Sequence, residues 1–321
     1  MRAPERSAAP PLAAAPAAAP AADAGAALRG VTAGLVGAVV LLGLHWPVMK
    51  VALDHVTPLW FSVLRQVGGV LVMIPLLAVL GRLALPGKAD LPIVLGVGLL
   101  QIAGTTSLSM IGLLYLEPGR AAILCYTTPF WITVATVIFL RARPSAVELL
   151  GLGLGLAGTL LLVRPGSIDW SDPGQTLGVV ILLLAAALWS AAIMQTRHHR
   201  WVLDPLQLLP FMMLAATAGV VPFALWHEGW PPAIAWNTTS VLALIFTTLS
   251  TCFSVWAISV AGRRMNSVAV ALSLLGVPAL GLGFSALWLG EAVTPEKLAS
   301  LGLVLAGSAA GILAAHGRRP R

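Results

Sequence analysis

Ten apolar runs, each about twenty residues long and separated only by short polar stretches, succeed one another from residue 31 to residue 315. They fall at roughly 31–51, 58–80, 91–113, 119–140, 146–164, 176–196, 206–226, 238–260, 267–289 and 297–315. A helix rises about 1.5 Å per residue, so each run is long enough to cross a hydrocarbon layer of about 30 Å. Composition agrees. Of the 321 residues 58% are hydrophobic and only 10% charged, and the mean hydropathy is +0.92, whereas a soluble domain carries about 25% charged residues. The fold class expected is an all-α integral membrane protein with ten transmembrane helices, and its first partner is the lipid bilayer.

The first residues, MRAPERSAAPPLAAAPAAAPAADAGAA, are rich in Ala and Pro. Repeated prolines interrupt any apolar core a signal peptide would need, so residues 1–28 read as a disordered cytoplasmic tail. With the N-terminus inside, fourteen Lys and Arg fall in cytoplasmic segments, including Arg141, Arg143, Arg263, Arg264 and the basic tail 317–321. The other side holds four: Lys50, Arg120, Arg164 and Lys297. Basic loops stay in the cytoplasm, so this asymmetry fixes both termini inside and an even number of spans. It also accounts for the pI of about 10.4 without a basic patch for nucleic acid. Cys125 and Cys252 lie inside apolar runs without metal-type spacing and read as buried, inert thiols.

Residues 151–158, GLGLGLAG, contain a literal G-x-G-x-x-G in Gly153, Gly155 and Gly158. A dinucleotide site requires a strand before the motif and a polar phosphate environment around it, and neither is present. Small residues four apart, Gly151 and Gly155, instead allow a second helix to approach closely.

The glycine stretch recurs. GLGLAGT at 153–159 matches GLVLAGS at 302–308 at an offset of 149, which also carries Pro129 onto Pro278. Pro58 matches Pro205 and Pro75 matches Pro222 at 147, and Trp46 matches Trp189 at 143. Each copy contains five spans, so the second enters the membrane from the opposite side. The halves, 29–165 and 174–316, are expected to be inverted repeats, an arrangement typical of secondary transporters with a central site.

HWPVMKVALDHVTPLWFSVLRQ, with Trp46, Lys50, Pro58 and Arg65, resembles the opening of an EamA domain of the drug/metabolite transporter superfamily. VPALGLGFSALWLGEAVTPEKLASLGLVLAGSAAGI, with Pro278, Gly290, Glu291, Gly302 and Gly307, resembles its close. The resemblance implies a ten-helix carrier of small metabolites, often an exporter, in a bacterial inner membrane. One departure stands out: the Gly-Glu pair kept at Gly290 and Glu291 is replaced in the first half by Arg141 and Ala142.

Arg65 falls inside the second span, where a charge is costly unless it meets water or a partner. It reads either as a cation facing the cavity and binding an anionic group, or as an anchor to helix-end carbonyls or to Asp54. His45 and Trp46 stand beside Pro47, which removes a backbone donor. Trp46 and its mate Trp189 suit either the central pathway or packing, and His45 either titration or a core hydrogen bond. Gln101 precedes a hydroxyl-rich stretch, 104–109, whose counterpart is TTLSTCFSVW at 247–256. These matching faces suit a shared cavity or helix-to-helix hydrogen bonds, and Tyr126 and Trp256 add aromatic surface. The expected substrate cavity is therefore His45, Trp46, Gln101, Tyr126, Trp189 and Trp256, with Arg65 structural or substrate-binding.

No Asp or Glu falls mid-span, which argues against a carboxylate proton relay. There is no Walker motif, H-E-x-x-H helix or G-x-S-x-G elbow, so neither ATP, a metal, a cofactor nor hydrolysis is expected. His198 and His199 sit in a basic loop and read as solvated or lipid-facing charge. The function expected is alternating-access transport of amino acids or aromatic, drug-like compounds. A sugar-nucleotide or phosphorylated-sugar antiporter, which would want several cavity cations, and a membrane-embedded enzyme are the alternatives. Homodimerisation stays open.

Overall fold

A computed structural model describes residues 21–140, 145–164, 166, 168–230, 234–265 and 267–317. The first half opens with α1 (Ala21–Ala52), which runs unbroken through Pro47, and α2 (Pro58–Val79). Its third segment is composite: α3 (Leu91–Gly96), a π-turn (Val97–Thr105) and α4 (Thr106–Tyr115). The fourth consists of α5 (Pro118–Cys125) and α6 (Thr128–Leu140), and the fifth is α7 (Ala146–Leu162). The second half repeats the order as α8 (Pro173–His198), α9 (Pro205–His227), α10 (Thr238–Arg264), α11 (Ser267–Leu274), α12 (Gly276–Leu289) and α13 (Pro295–Gly317). Among the described residues eight helical spans are long and apolar enough to cross a bilayer. The other two expected crossings are the seventeen-residue α7 and the broken pair α5 and α6. Among the described residues there is no strand, only an isolated bridge from Val56 to Ile234.

The helix α1 begins at Ala21, within the stretch expected to be tail, because AADAGAAL is rich in the strongest helix former and follows the last proline of the run. Residues 1–20, the Arg141–Ala142 departure and residues 318–321 lie outside the described residues.

Packing follows the repeat. The helix α1 lies against α10 and α12, while its counterpart α8 lies against the third and fourth segments of the first half. The self-corresponding pairs α2 with α9 and α7 with α13 complete the arrangement. Exchanging the halves therefore maps the contact pattern onto itself, as a two-repeat membrane fold requires.

Glycines set the α7–α13 contact. A Cβ on Gly151 would stand 2.7 Å from the Gly307 carbonyl oxygen, and one on Gly158 would stand 2.9 Å from that of Ser300. The Ser300 hydroxyl donates to the Gly158 carbonyl at 2.7 Å. The apparent nucleotide loop is thus a helix-packing surface.

Acidic side chains fasten the helix ends, where the backbone leaves groups unpaired. At one end of α2, Glu228 accepts from the amides of Leu59 and Trp60 at 2.9 and 3.1 Å. At its other end Asp204 pairs with Arg82 at 3.1 Å and with Arg263. Burial opposes ionisation of Asp204, but the Arg263 bond, the Leu206 amide and the Arg82 charge hold its carboxyl below the usual range.

Asp90, fully buried ahead of α3, turns away from its own helix. It accepts from the amides of Val202 and Leu203 at 3.2 and 3.1 Å and contacts His199 Nε2 at 3.2 Å. Burial works against its charge, yet these bonds prevail and lower its pKa. His199 is consequently not the solvated loop residue expected from its basic neighbours. It is an element of the tie between the α8–α9 loop and α3, with its ring edge-on to Trp201.

Candidate functional site

Each half breaks its fourth segment at the corresponding place. The first break falls at Tyr126 and Thr127, between α5 and α6; the second falls at Leu275, between α11 and α12. Tyr126 and Leu275 are 149 residues apart, the same offset that carries Pro129 onto Pro278. The two prolines are the cause, since neither can donate to the carbonyl four residues earlier, that of Cys125 or of Leu274. In the first break hydroxyls take over: Thr128 donates to the Cys125 carbonyl at 2.8 Å and Thr127 to that of Leu124 at 2.7 Å. Ser190 of α8 donates to the Thr128 carbonyl at 2.9 Å. Paired discontinuous helices in two inverted halves are the pattern that surrounds a transporter's binding region.

Tyr126 stands at this break, edge-on to Trp189 of α8 with ring centroids 5.2 Å apart. Two of the expected aromatic residues are thereby brought together. Trp46 is buried and packs on α12, where a Cβ on Gly281 would lie 3.2 Å from its ring. Trp256 is 44% exposed and leans on Phe253, apart from the Tyr126–Trp189 pair. Gln101 is half-buried on the π-turn.

Polar side chains converge around one turn of α10. His45 of α1 contacts the Thr247 carbonyl oxygen at 3.1 Å and Ser250 Oγ at 2.9 Å, both through Nε2. A carbonyl can only accept, so Nε2 carries the hydrogen and Nδ1 is the ring nitrogen left to take up a proton. The next residue, Thr248, donates to the backbone carbonyl of Arg65 on α2 at 3.4 Å. That close approach is possible because Gly68 has no side chain; a Cβ there would lie 3.2 Å from Thr248 Oγ1.

The guanidinium of Arg65 turns to the third segment and donates through Nη2 to Thr106 Oγ1 at 2.9 Å. Asp54, the acidic partner considered from the sequence, does not pair with it, and among the described residues no carboxylate does. Gln66 is 1% exposed and donates through Nε2 to the Ile102 carbonyl on the π-turn at 3.3 Å. Gln66 was not among the residues singled out by sequence. Its only signal was an amide adjoining an arginine within an apolar span.

A second charged group lies at the opposite side of α5 from its break. Lys297, 3% exposed, donates to Glu291 at 3.0 Å, to Glu117 at 2.6 Å and to the Ala292 carbonyl at 2.8 Å. Glu291 also accepts from the Gly119 amide at 2.8 Å and so caps α5 across the repeat boundary. The retained Gly-Glu pair therefore has a structural use: Gly290 takes the left-handed conformation that ends α12, at φ 69°, and Glu291 caps the start of α5 in the other half.

Two matches to a family model described as the EamA-like transporter family cover residues 29–164 and 176–311. The chain belongs to this family. This EamA-like transporter is 24% identical over 282 residues to "Uncharacterized transporter YoaV" of Bacillus subtilis, spanning 86% of this chain and 94% of the relative. It is 27% identical to "Probable amino-acid metabolite efflux pump" of Salmonella typhimurium, over 84% of this chain and 90% of that one. The protein of the same name in Escherichia coli is 26% identical over 87% and 92%. A solved structure titled "Crystal structure of protein" superposes with a TM-score of 0.62 at 20% identity, covering 90% of this chain and 99% of the other, and shows the shared fold. The EamA-like chain is thus a multi-pass membrane protein of a family that transports small molecules.

Proposed function

We propose that this EamA-like protein is a secondary transporter of a bacterial cytoplasmic membrane, with both termini inside, that exports amino acids or related aromatic, carboxylate-bearing compounds by alternating access. The repeats are taken as 29–165 and 174–316, rocking about a central site. One observation carries the substrate class: Arg65 is a cation within a membrane span whose hydrogen bond goes to a neutral hydroxyl. A charge so placed is costly unless a counter-charge arrives, and a guanidinium presents a planar fork that suits a carboxylate. The Tyr126–Trp189 pair at the broken fourth segment supports an apolar or aromatic body for the same molecule. His45, Trp46 and Gln101 complete the proposed surroundings, with Trp256 at their margin. The printed names of the Salmonella and Escherichia relatives favour amino-acid metabolites and the outward direction.

Phosphorylated sugars are the second reading, since they too are anions. They call for several cations, and Lys50 is already engaged with the Leu113 carbonyl near the end of α1. Uptake of radiolabelled neutral and aromatic amino acids into proteoliposomes, with and without a pH gradient, separates the possibilities. Amino-acid flux above that of empty liposomes is expected. Flux of sugar phosphates alone would replace this reading with the second. Abolished pH dependence in His45→Gln would make that ring the proton carrier, and unchanged dependence would remove it from coupling.

A further inference from the structure

The π-turn of the third segment is tied to two other helices, by side chains of α2 and by a backbone carbonyl of α8. Thr105 Oγ1 shares its one hydrogen between the Leu100 carbonyl, five residues back, at 3.2 Å and the Ala185 carbonyl of α8 at 3.1 Å. Gln66 donates to Ile102, inside the turn, and Arg65 to Thr106, the first residue after it. A π-turn is a one-residue insertion in an α-helix with poorer internal bonding, and such turns concentrate at functional sites. Here Gln66 of α2 supplies a donor to a carbonyl of the turn, and its neighbour Arg65 bonds the hydroxyl of the residue that follows the turn. The arrangement has a cost: Gln66 Oε1 is buried with no partner among the described residues, which normally argues against an amide orientation. Gln66 keeps that orientation because its NH₂ group is committed to the turn.

We propose that Thr106 and Gln66 are positioning residues that join the anion-binding face of Arg65 to the π-turn. The proposal rests on the reading of Arg65 as the substrate's carboxylate anchor. Thr106 engages only one guanidinium nitrogen and fixes the plane of the fork; of the five N–H donors an arginine carries, the others stay available. A carboxylate bound by the donors that remain draws the fork, and Thr106 with it, toward itself. The last part of the turn, from Gln66's acceptor Ile102 to the junction with Thr106, then tightens or relaxes by one residue. Because the π-turn packs on both α8 and α9, this change is delivered to the second half.

The test uses the full chain in detergent and in proteoliposomes, with amide hydrogen exchange of residues 97–106 as the direct readout. Without ligand, Thr106→Val and Gln66→Leu are expected to speed exchange most in that segment, in protein that remains folded. A panel of carboxylates led by phenylalanine is expected to alter exchange there in the wild type and not in Gln66→Leu. In flux measurements Thr106→Val is expected to raise KM about tenfold, the scale of one lost hydrogen bond to a charged group, with maximal rate kept, and Thr106→Ser to restore it. Gln66→Leu is expected to lower the maximal rate more than it changes KM. Wild-type exchange unmoved by every carboxylate, or a Thr106→Val protein that behaves as wild type while Arg65→Ala loses transport, overturns the coupling. Arg65→Ala with unaltered carboxylate KM removes the underlying reading of Arg65 instead.

Discussion

The third membrane segment of the first half and its counterpart α10 share a hydroxyl-rich composition but differ in backbone. One is interrupted by a π-turn and the other is a continuous helix of 27 residues. Their neighbours explain the difference. The 147-residue offset that matches Pro58 to Pro205 places Met212 and Met213 of α9 where α2 has Arg65 and Gln66. Met213 has no donor to offer a displaced carbonyl, as Gln66 has, and α10 keeps its own hydrogen bonds. The starts of the two segments differ as well. Asn237 caps its own helix reciprocally with Ser240, whereas Asp90, 147 residues earlier, is spent on the loop from His199 to Leu203. Inverted repeats thus supply the frame, and substitutions on one copy alone supply polarity and an unequal mechanical role.

The comparison breaks most sharply at Arg65. Arg65→Met, which gives α2 the residue α9 carries, is expected to cut carboxylate flux more than tenfold while leaving detergent-solubilised protein folded; near-normal flux would mean that the halves need not differ there. The next effect concerns the interface the halves share. Gly151→Leu drives a side chain into the Gly307 carbonyl, 2.7 Å from its Cβ, and is expected to cost about 1–3 kcal/mol, read as a lower melting temperature.

Acid sharpens the contrast between the two N-caps. The folded pKa of Asp90 lies below its ordinary 3.8, so its stabilisation is complete above that value and fades as pH falls through the lower folded one. Thermal melts between pH 5 and 3 are expected to show a steeper loss for the wild type than for Asp90→Asn, which has the neutral cap type of α10. Parallel curves would refute it. The smallest effect is at Ser300, the mate of Gly151 at an offset of 149. Ser300→Ala removes the 2.7 Å bond to Gly158 and is expected to cost about 1 kcal/mol in the same melting assay.

Much of this was legible in the sequence because a bilayer demands length and apolarity from each crossing segment, and a duplicated chain carries its proline and glycine positions twice. The α7–α13 contact followed from residues with no side chain to obstruct it. The broken fourth segments were harder to read. Tyr126 and Thr127 bring no run of polar residues, and Pro129 and Pro278 looked like repeat markers before their freed carbonyls could be placed. The role of His199 was hidden by Arg197 and Arg200, since local charge says nothing about a buried aspartate 109 residues away.

The sequence alone determined the membrane environment, the duplicated five-span plan and the presence of one intramembrane arginine, because hydrophobic length, repeat offset and charge are properties of the chain itself. Tertiary structure decided what that arginine meets, which helix bends and which glutamate caps a helix from the other half. Those outcomes depend on hydrogen-bond partners more than a hundred residues apart or on neighbouring helices, as with Glu291 and Gly119 or Gln66 and Ile102. A backbone group freed by a proline or a π-turn does not carry the identity of its new partner in its own local sequence.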